Sequence, residues 1–217
     1  MAKFIVNNAA FKKVFDKPIQ KILKAHVRNT IQPLIDQANK QLIRDFLSNT
    51  ITKEIAAGPD AQNISYTLGG YGNLFSFLGF DKNESPIEKA LGVISKNFIK
   101  LSIVETKANS WSVIINLKIP NKDDFSKYPD LDLPWAERNW LYAIEEGVTG
   151  LGRYLYNQEG FDTSRSSTGI EITGKVSGGQ SLPSGDVRNS QYVAHEYMSK
   201  IISVVVKALI RNIKSTI

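Results

Sequence analysis

At 217 residues the chain has the length of one large domain or two small ones, and its 42% hydrophobic and 22% charged residues are those of an ordinary folded globular protein. It has no cysteine and only two histidines, His26 and His195. That excludes disulfides, cysteine nucleophiles, iron–sulfur clusters and thiolate zinc sites, and leaves almost nothing for a histidine-built metal site. The formal net charge of +6 is unevenly placed, with a surplus of five over residues 1–60, a surplus of four over residues 187–217, and twelve basic against fifteen acidic groups between them.

The opening residues, Met1-Ala-Lys-Phe-Ile-Val-Asn-Asn, hold too short an apolar stretch to read as a signal peptide. The first sixty residues read as helix. Ile19, Ile22, Leu23, His26, Val27, Ile31, Leu34, Ile35, Ala38, Leu42, Ile43, Phe46 and Leu47 recur at steps of three and four. Pro18 suits the first turn, and Pro33 is expected to kink or split the element. A short helix from about Thr50 to Ala57 is stopped by Gly58-Pro59. A further helix is expected from Ser85 to about Lys96, where Ser85-Pro86-Ile87-Glu88 has the order of a capping box.

Two β-branched runs follow, Phe98 to Lys107 and Ser110 to Ile119. Ala108-Asn109 separates them, and they read as an antiparallel hairpin. After a polar loop containing Asp123, Asp124 and Asp130, Pro134 opens a helix to about Glu146, stopped by Gly147. Leu151 to Tyr156 and Gly169 to Val176 read as short strands. A last helix runs from about Ser190 to Ser215, with Tyr197, Met198, Ile201, Val204, Val205, Ala208, Leu209 and Ile213 as its apolar positions. Fourteen of the fifteen glycines fall within Gly58–Gly79 and Gly147–Gly185, which marks those windows as the irregular parts.

The pattern predicts an α+β fold, with long N- and C-terminal helices packed on a small, mainly antiparallel β-sheet with glycine-rich loops. It reads as one domain over residues 1–217. The helical N-terminal region covers about 1–57, the β-containing middle about 58–185 and the C-terminal helix about 190–215.

The candidate chemical motifs fail on their physical requirements. Gly69-Gly70-Tyr71-Gly72 runs into Asn73-Leu74-Phe75, without the lysine and hydroxyl that a phosphate-cradling loop needs. Gly147-Val-Thr-Gly150-Leu-Gly152 follows a helix instead of a strand, so it does not read as a dinucleotide loop. Glu145 and Glu146 are adjacent on helical text and point about 100° apart, so they do not share a substrate. Asp123 and Asp124 read as solvated. Both histidines fall on helical text, His26 as a satisfied core residue and His195 as a surface or interface residue, and no serine has an arguable partner. The expectation is a protein that is not an enzyme and takes neither cofactor nor metal.

Aromatic residues are the denser constellation. Trp135, Trp140 and Tyr142 crowd the helix expected after Pro134, where Trp135 and Tyr142 share a face and Trp140 points elsewhere. Such groups serve equally as core or as anchors for a neighbouring subunit. Ser164-Arg165-Ser166-Ser167-Thr168-Gly169 reads as an exposed polar loop, able to dock an acidic partner or simply to turn.

Three stretches carry a resemblance: Thr52-Lys-Glu-Ile-Ala-Ala-Gly58, Asn63-Ile-Ser-Tyr-Thr-Leu-Gly-Gly-Tyr-Gly-Asn-Leu-Phe-Ser-Phe-Leu-Gly-Phe80, and Trp140-Leu-Tyr-Ala-Ile-Glu-Glu-Gly-Val-Thr-Gly-Leu-Gly152 continued by Ser164-Arg165-Ser166. Together they resemble the neck and tail-completion proteins of tailed bacteriophages, over about residues 50–175. The resemblance implies an α+β subunit without a cofactor that forms a ring, usually hexameric, joining the head connector to the tail. It implies as partners the chain itself, the portal or connector, and the tail tube or tail terminator proteins, with DNA passing through the channel without sequence-specific binding and no membrane. The expected location is the virion neck or tail, and the host cytoplasm during assembly. Trp135, Trp140, Tyr142, Glu145 and Arg165 are then the candidate subunit-interface residues. The alternatives are a tail terminator ring, a DNA-binding assembly factor using the basic terminal helices, and a hydrolase with an unrecognised carboxylate site.

Overall fold

The structure, a computed structural model, describes residues 8–68, 73–105, 113–134, 136–147, 153–156, 170–173 and 194–216. The fold is α+β. Seven helices are described: α1 (Asn8–Ser48), α2 (Thr50–Ala56), α3 (Leu74–Phe77), α4 (Pro86–Lys96), α5 (Lys122–Phe125), α6 (Trp140–Glu146) and α7 (Met198–Thr216). Six strands accompany them: β1 (Lys100–Glu105), β2 (Val113–Lys118), β3 (Asp132–Leu133), β4 (Ala136–Asn139), β5 (Arg153–Tyr156) and β6 (Ile170–Thr173). The strands form three separate antiparallel pairs, β1 with β2, β3 with β4 and β5 with β6, and not the single small sheet expected from the sequence.

The chain divides into two compact units. A terminal unit gathers Met1–Gln41, Phe98–Ile119 and Val205–Ile217, and a central unit gathers Leu42–Asn97 and Pro120–Val204. Both are assembled from separated stretches, so no single linker in the sequence marks a boundary.

In the terminal unit, α1 presents Ile31, Ile35 and Ala38 to the interior at steps of four and three, and Ile99, Val205 and Leu209 are buried with them. Asn39 is also buried, and its carboxamide serves the backbone of Ile99. Asn39 Nδ2 donates to the Ile99 carbonyl at 3.0 Å, and the Ile99 N–H donates to Asn39 Oδ1 at 2.9 Å. The side chain thus supplies both hydrogen bonds that a neighbouring strand would give, fixing the entry to β1. The hairpin has the expected antiparallel pairing, in the register Lys100 opposite Lys118 through Glu105 opposite Val113. The turn expected at Ala108-Asn109 lies outside the described residues.

Three expectations for α1 are corrected. The helix already runs from Asn8, so Pro18 lies well inside it, and Pro33 does not split it. Pro33 is exposed, as is Asn29 one turn earlier, so water can reach the carbonyl that loses its N–H partner. His26 is exposed and is not a core residue; its stripe neighbours Ile22, Leu23 and Val27 are not buried either, whereas Ile31 is.

In the central unit, asparagine sets the helix starts. Asn49 Oδ1 accepts from Ile51 N–H at the start of α2, and Asn73 Oδ1 accepts from Ser76 N–H at α3. Asn121 and Asp124 exchange the two bonds of a capping box at α5. Asn139 Oδ1 accepts from Leu141 and Tyr142 N–H at α6, while its Nδ2 donates to the Phe125 carbonyl at 2.8 Å. This buried cap explains why α6 begins at Trp140 and not at Pro134. The residues ahead of it, Ala136–Asn139, pair instead as β4 with β3. Helix α4 begins as expected, but the Ser85 side chain makes no cap bond there. Gly58 (φ +77) and Gly147 (φ +76) take the left-handed backbone that ends α2 and α6.

The core of the central unit is aromatic. Phe80 packs edge-on against Trp140 with ring centroids 6.0 Å apart, and Phe75 lies 5.5 Å from Phe80. Phe46 and Tyr197 form a second pair at 6.0 Å, and the Tyr197 hydroxyl is hydrogen-bonded to the Thr52 hydroxyl. Helix α7 starts at Met198, eight residues later than expected. Its buried positions are Met198, Ile201, Ile202, Val205 and Leu209, whereas Val204 and Ala208, expected inside, are exposed.

Candidate functional site

The candidate interface residues do not converge on one exposed patch among the described residues. Trp140 is 1% exposed and packed against Phe80, so it belongs to the core of the central unit. Glu145 is committed internally: its Oε1 accepts from Tyr197 N–H at 3.2 Å and Ser199 N–H at 2.6 Å. The neighbouring His195 N–H donates to the Ile144 carbonyl at 2.9 Å. Glu145 therefore caps α7 from across the unit, placing a carboxylate where the first-turn N–H groups of that helix need an acceptor. Tyr142 is half-buried, with the Arg138 guanidinium 6.0 Å from its ring centre. Arg138 in turn donates to the Gly147 carbonyl at 2.9 Å. Trp135 and Arg165 lie outside the described residues. Because α6 begins after Trp135, the helical face that was to join Trp135 with Tyr142 does not form.

The structure directs attention to a different place, the knuckle at Ile64–Tyr66. Tyr66 is 80% exposed and Ile64 is 41% exposed. Tyr66 is also the one non-glycine residue with positive φ (+57) among those described. A bulky side chain in this region costs about 1–2 kcal/mol of backbone strain, and such strain gathers where function requires a fixed presentation.

The knuckle is held from beneath by Glu54. That side chain is fully buried, with Oε2 accepting from Ser65 N–H and Oε1 accepting from Leu74 N–H, both at 2.8 Å. One carboxylate thus fastens both ends of the segment 65–74. Asn73 adds a third tie, its Nδ2 donating to the Pro59 carbonyl. The Ser65 and Thr67 hydroxyls, 2.9 Å apart, brace the bend on either side of Tyr66. The Asn63 carboxamide is buried beside it with no hydrogen-bond partner for either polar atom. A held loop that turns an aromatic and an aliphatic side chain into solvent has the form of a contact anchor.

Sequence reasoning passed over this place because Tyr66 falls in unpatterned text. The available signal was the pair Ile64 and Tyr66 inside a polar stretch, next to the glycine cluster. The glycine cluster itself, 69–72, lies outside the described residues.

No cluster of three or more His, Asp or Glu side chains suited to a metal occurs among the described residues. Also among them, no helix is long and apolar enough to cross a membrane. The class defined by the fold is α+β. Compared with protein-family models, curated proteins and solved structures, the chain matches none.

Proposed function

We propose that this chain is a structural subunit of a tailed-phage virion, a neck or tail-completion protein that assembles with copies of itself into a ring joining the head connector to the tail. The resemblance of residues 52–58, 63–80 and 140–152 suggests the family. The observation that carries the self-association is the Ile64–Tyr66 knuckle, which lies inside the second of those stretches. Aromatic side chains presented at a surface from a held backbone are characteristic anchors of protein contacts.

Further apolar side chains support the reading. Ile22 on α1 is 66% exposed and Val204 on α7 is 55% exposed. A ring of hexameric type uses heterologous contacts, so a knuckle on one copy meets a different surface on the next. The portal or connector and the tail tube or terminator proteins are the partners at its two faces. A tail terminator ring would use the same contact.

Light scattering on the purified 24.2 kDa chain tests this. The expected result is a concentration-dependent shift from monomer to a closed oligomer, lost in Tyr66→Ala. A strict monomer at every concentration would count against a ring built by the chain itself.

A further inference from the structure

The division into two units separates charge more sharply than the sequence does. The terminal unit contains fourteen of the 27 Lys and Arg and only three of the 21 Asp and Glu, a surplus of eleven. The central unit has thirteen basic and eighteen acidic groups, a deficit of five. The hairpin is what changes the picture: Lys100, Lys107 and Lys118 join the basic terminal helices, and Glu105 is its one acid.

The cations of this unit also stand in positions that repel one another. On α7, Lys207, Arg211 and Lys214 follow at steps of four and three, all exposed, and α7 has no acidic residue. On α1, Lys21, Lys24 and Arg28 follow at steps of three and four. Like charges at these spacings are mutually destabilising in a helix. In the hairpin, Lys100 stands directly opposite Lys118, a cross-strand pairing that is again unfavourable for like charges. Like-charge spacing of this kind is relieved when phosphate binds beside it, and it is densest on α7.

We propose that the terminal unit binds the phosphate backbone of double-stranded DNA through Lys207, Arg211 and Lys214 of α7, with Lys21, Lys24 and Arg28 of α1 and Lys100 and Lys118 of the hairpin contributing. Duplex DNA carries one charge per about 1.7 Å of axis, and cations spread over about 10 Å of helix suit that density. A membrane surface fits less well. An interfacial helix needs its apolar face free, whereas α7 buries Val205 and Leu209 within the chain. An acidic protein partner would call for aromatic anchors among the cations, and α7, which carries the three leading cations, contains no Phe, Trp or Tyr. The contacts are to phosphate and carry no base sequence. The choice of DNA over RNA rests on the virion reading above, and the phosphate chemistry rests on these residues alone.

The test is fluorescence anisotropy of the full chain with a short labelled DNA duplex of arbitrary sequence, titrated over a range of sodium chloride. Log affinity should fall linearly with log salt. The variant Lys207→Ala/Arg211→Ala/Lys214→Ala should flatten that slope by about 0.9 per cation removed. Lys53→Ala/Lys82→Ala/Lys127→Ala, three exposed lysines of the central unit, should keep the original slope, with circular dichroism confirming that both variants remain folded. No binding at low salt would overturn the proposal, as would an unchanged slope in the α7 variant or an equal loss in the control. Binding to anionic phosphatidylserine vesicles or to polyglutamate in place of the duplex would overturn it too. A chain that binds duplexes but never leaves the monomer would remove the ring and leave this proposal standing.

Discussion

Glu145 accepts the backbone N–H of Ser199 at 2.6 Å, from 54 residues earlier in the chain. A glutamate at the end of α6 thereby does for α7 what a capping side chain normally does from within its own helix. The bond also ties the C-terminal helix to the aromatic core through Tyr197, whose own N–H reaches the same oxygen. Glu145→Ala removes the acceptor for two N–H groups and is expected to lower stability by about 1–3 kcal/mol. Glu145→Gln keeps an acceptor and should lose less than half as much. Urea denaturation of the two variants measures the difference.

Tyr66 separates a structural role from an assembly role. The side chain is exposed, so Tyr66→Ala should leave monomer stability almost unchanged. Tyr66→Gly should raise it, because relief of the positive-φ strain is worth about 1 kcal/mol. Both variants are expected to weaken self-association by tenfold or more. Paired thermal melts and light scattering check the two effects independently.

Trp140 behaves oppositely. Buried edge-on against Phe80, it should destabilise the chain by about 3–5 kcal/mol when replaced by alanine. Its indole Nε1–H is buried without a hydrogen-bond partner. Trp140→Phe therefore deletes an unmet donor along with some volume, and should cost much less than Trp140→Ala. A Trp140→Ala chain that kept its full stability but lost only assembly would move this residue back to a subunit contact.

The pair Lys100 and Lys118 offers a test in which stability and binding move in opposite directions. Lys118→Glu replaces cross-strand repulsion with attraction and should stabilise the hairpin by a few tenths of a kcal/mol. The same change reverses a charge on the proposed DNA surface and should weaken duplex binding severalfold at low salt. Chemical denaturation and the anisotropy titration provide the two readings.

What the sequence revealed follows from where the physics is local. The α2 stop at Gly58, the α4 start at Pro86 and the β1–β2 pairing rest on turn residues, proline position and alternation, all of which act over a few residues. The start of α6 was missed because Pro134 is a strong local signal. The decisive cap, Asn139, is fixed by a bond to Phe125 fourteen residues away. The start of α7 was missed for the same reason, since its acceptor is Glu145. Long-range charge grouping was only half legible: the basic ends were plain, but that the hairpin joins them is a property of the fold. Tyr66 carried only the weak signal of an apolar pair in polar text, because its exposure and its backbone angle depend on Glu54, which the sequence places in an ordinary helix.

Electron microscopy of the virion, with side-chain-resolved density assigned to this chain, tests the proposed ring. The expected density is a closed ring of its copies between portal and tail, with Tyr66 of each copy seated against the next. Particles that contain no copy of the chain, or copies that do not touch one another, would contradict it.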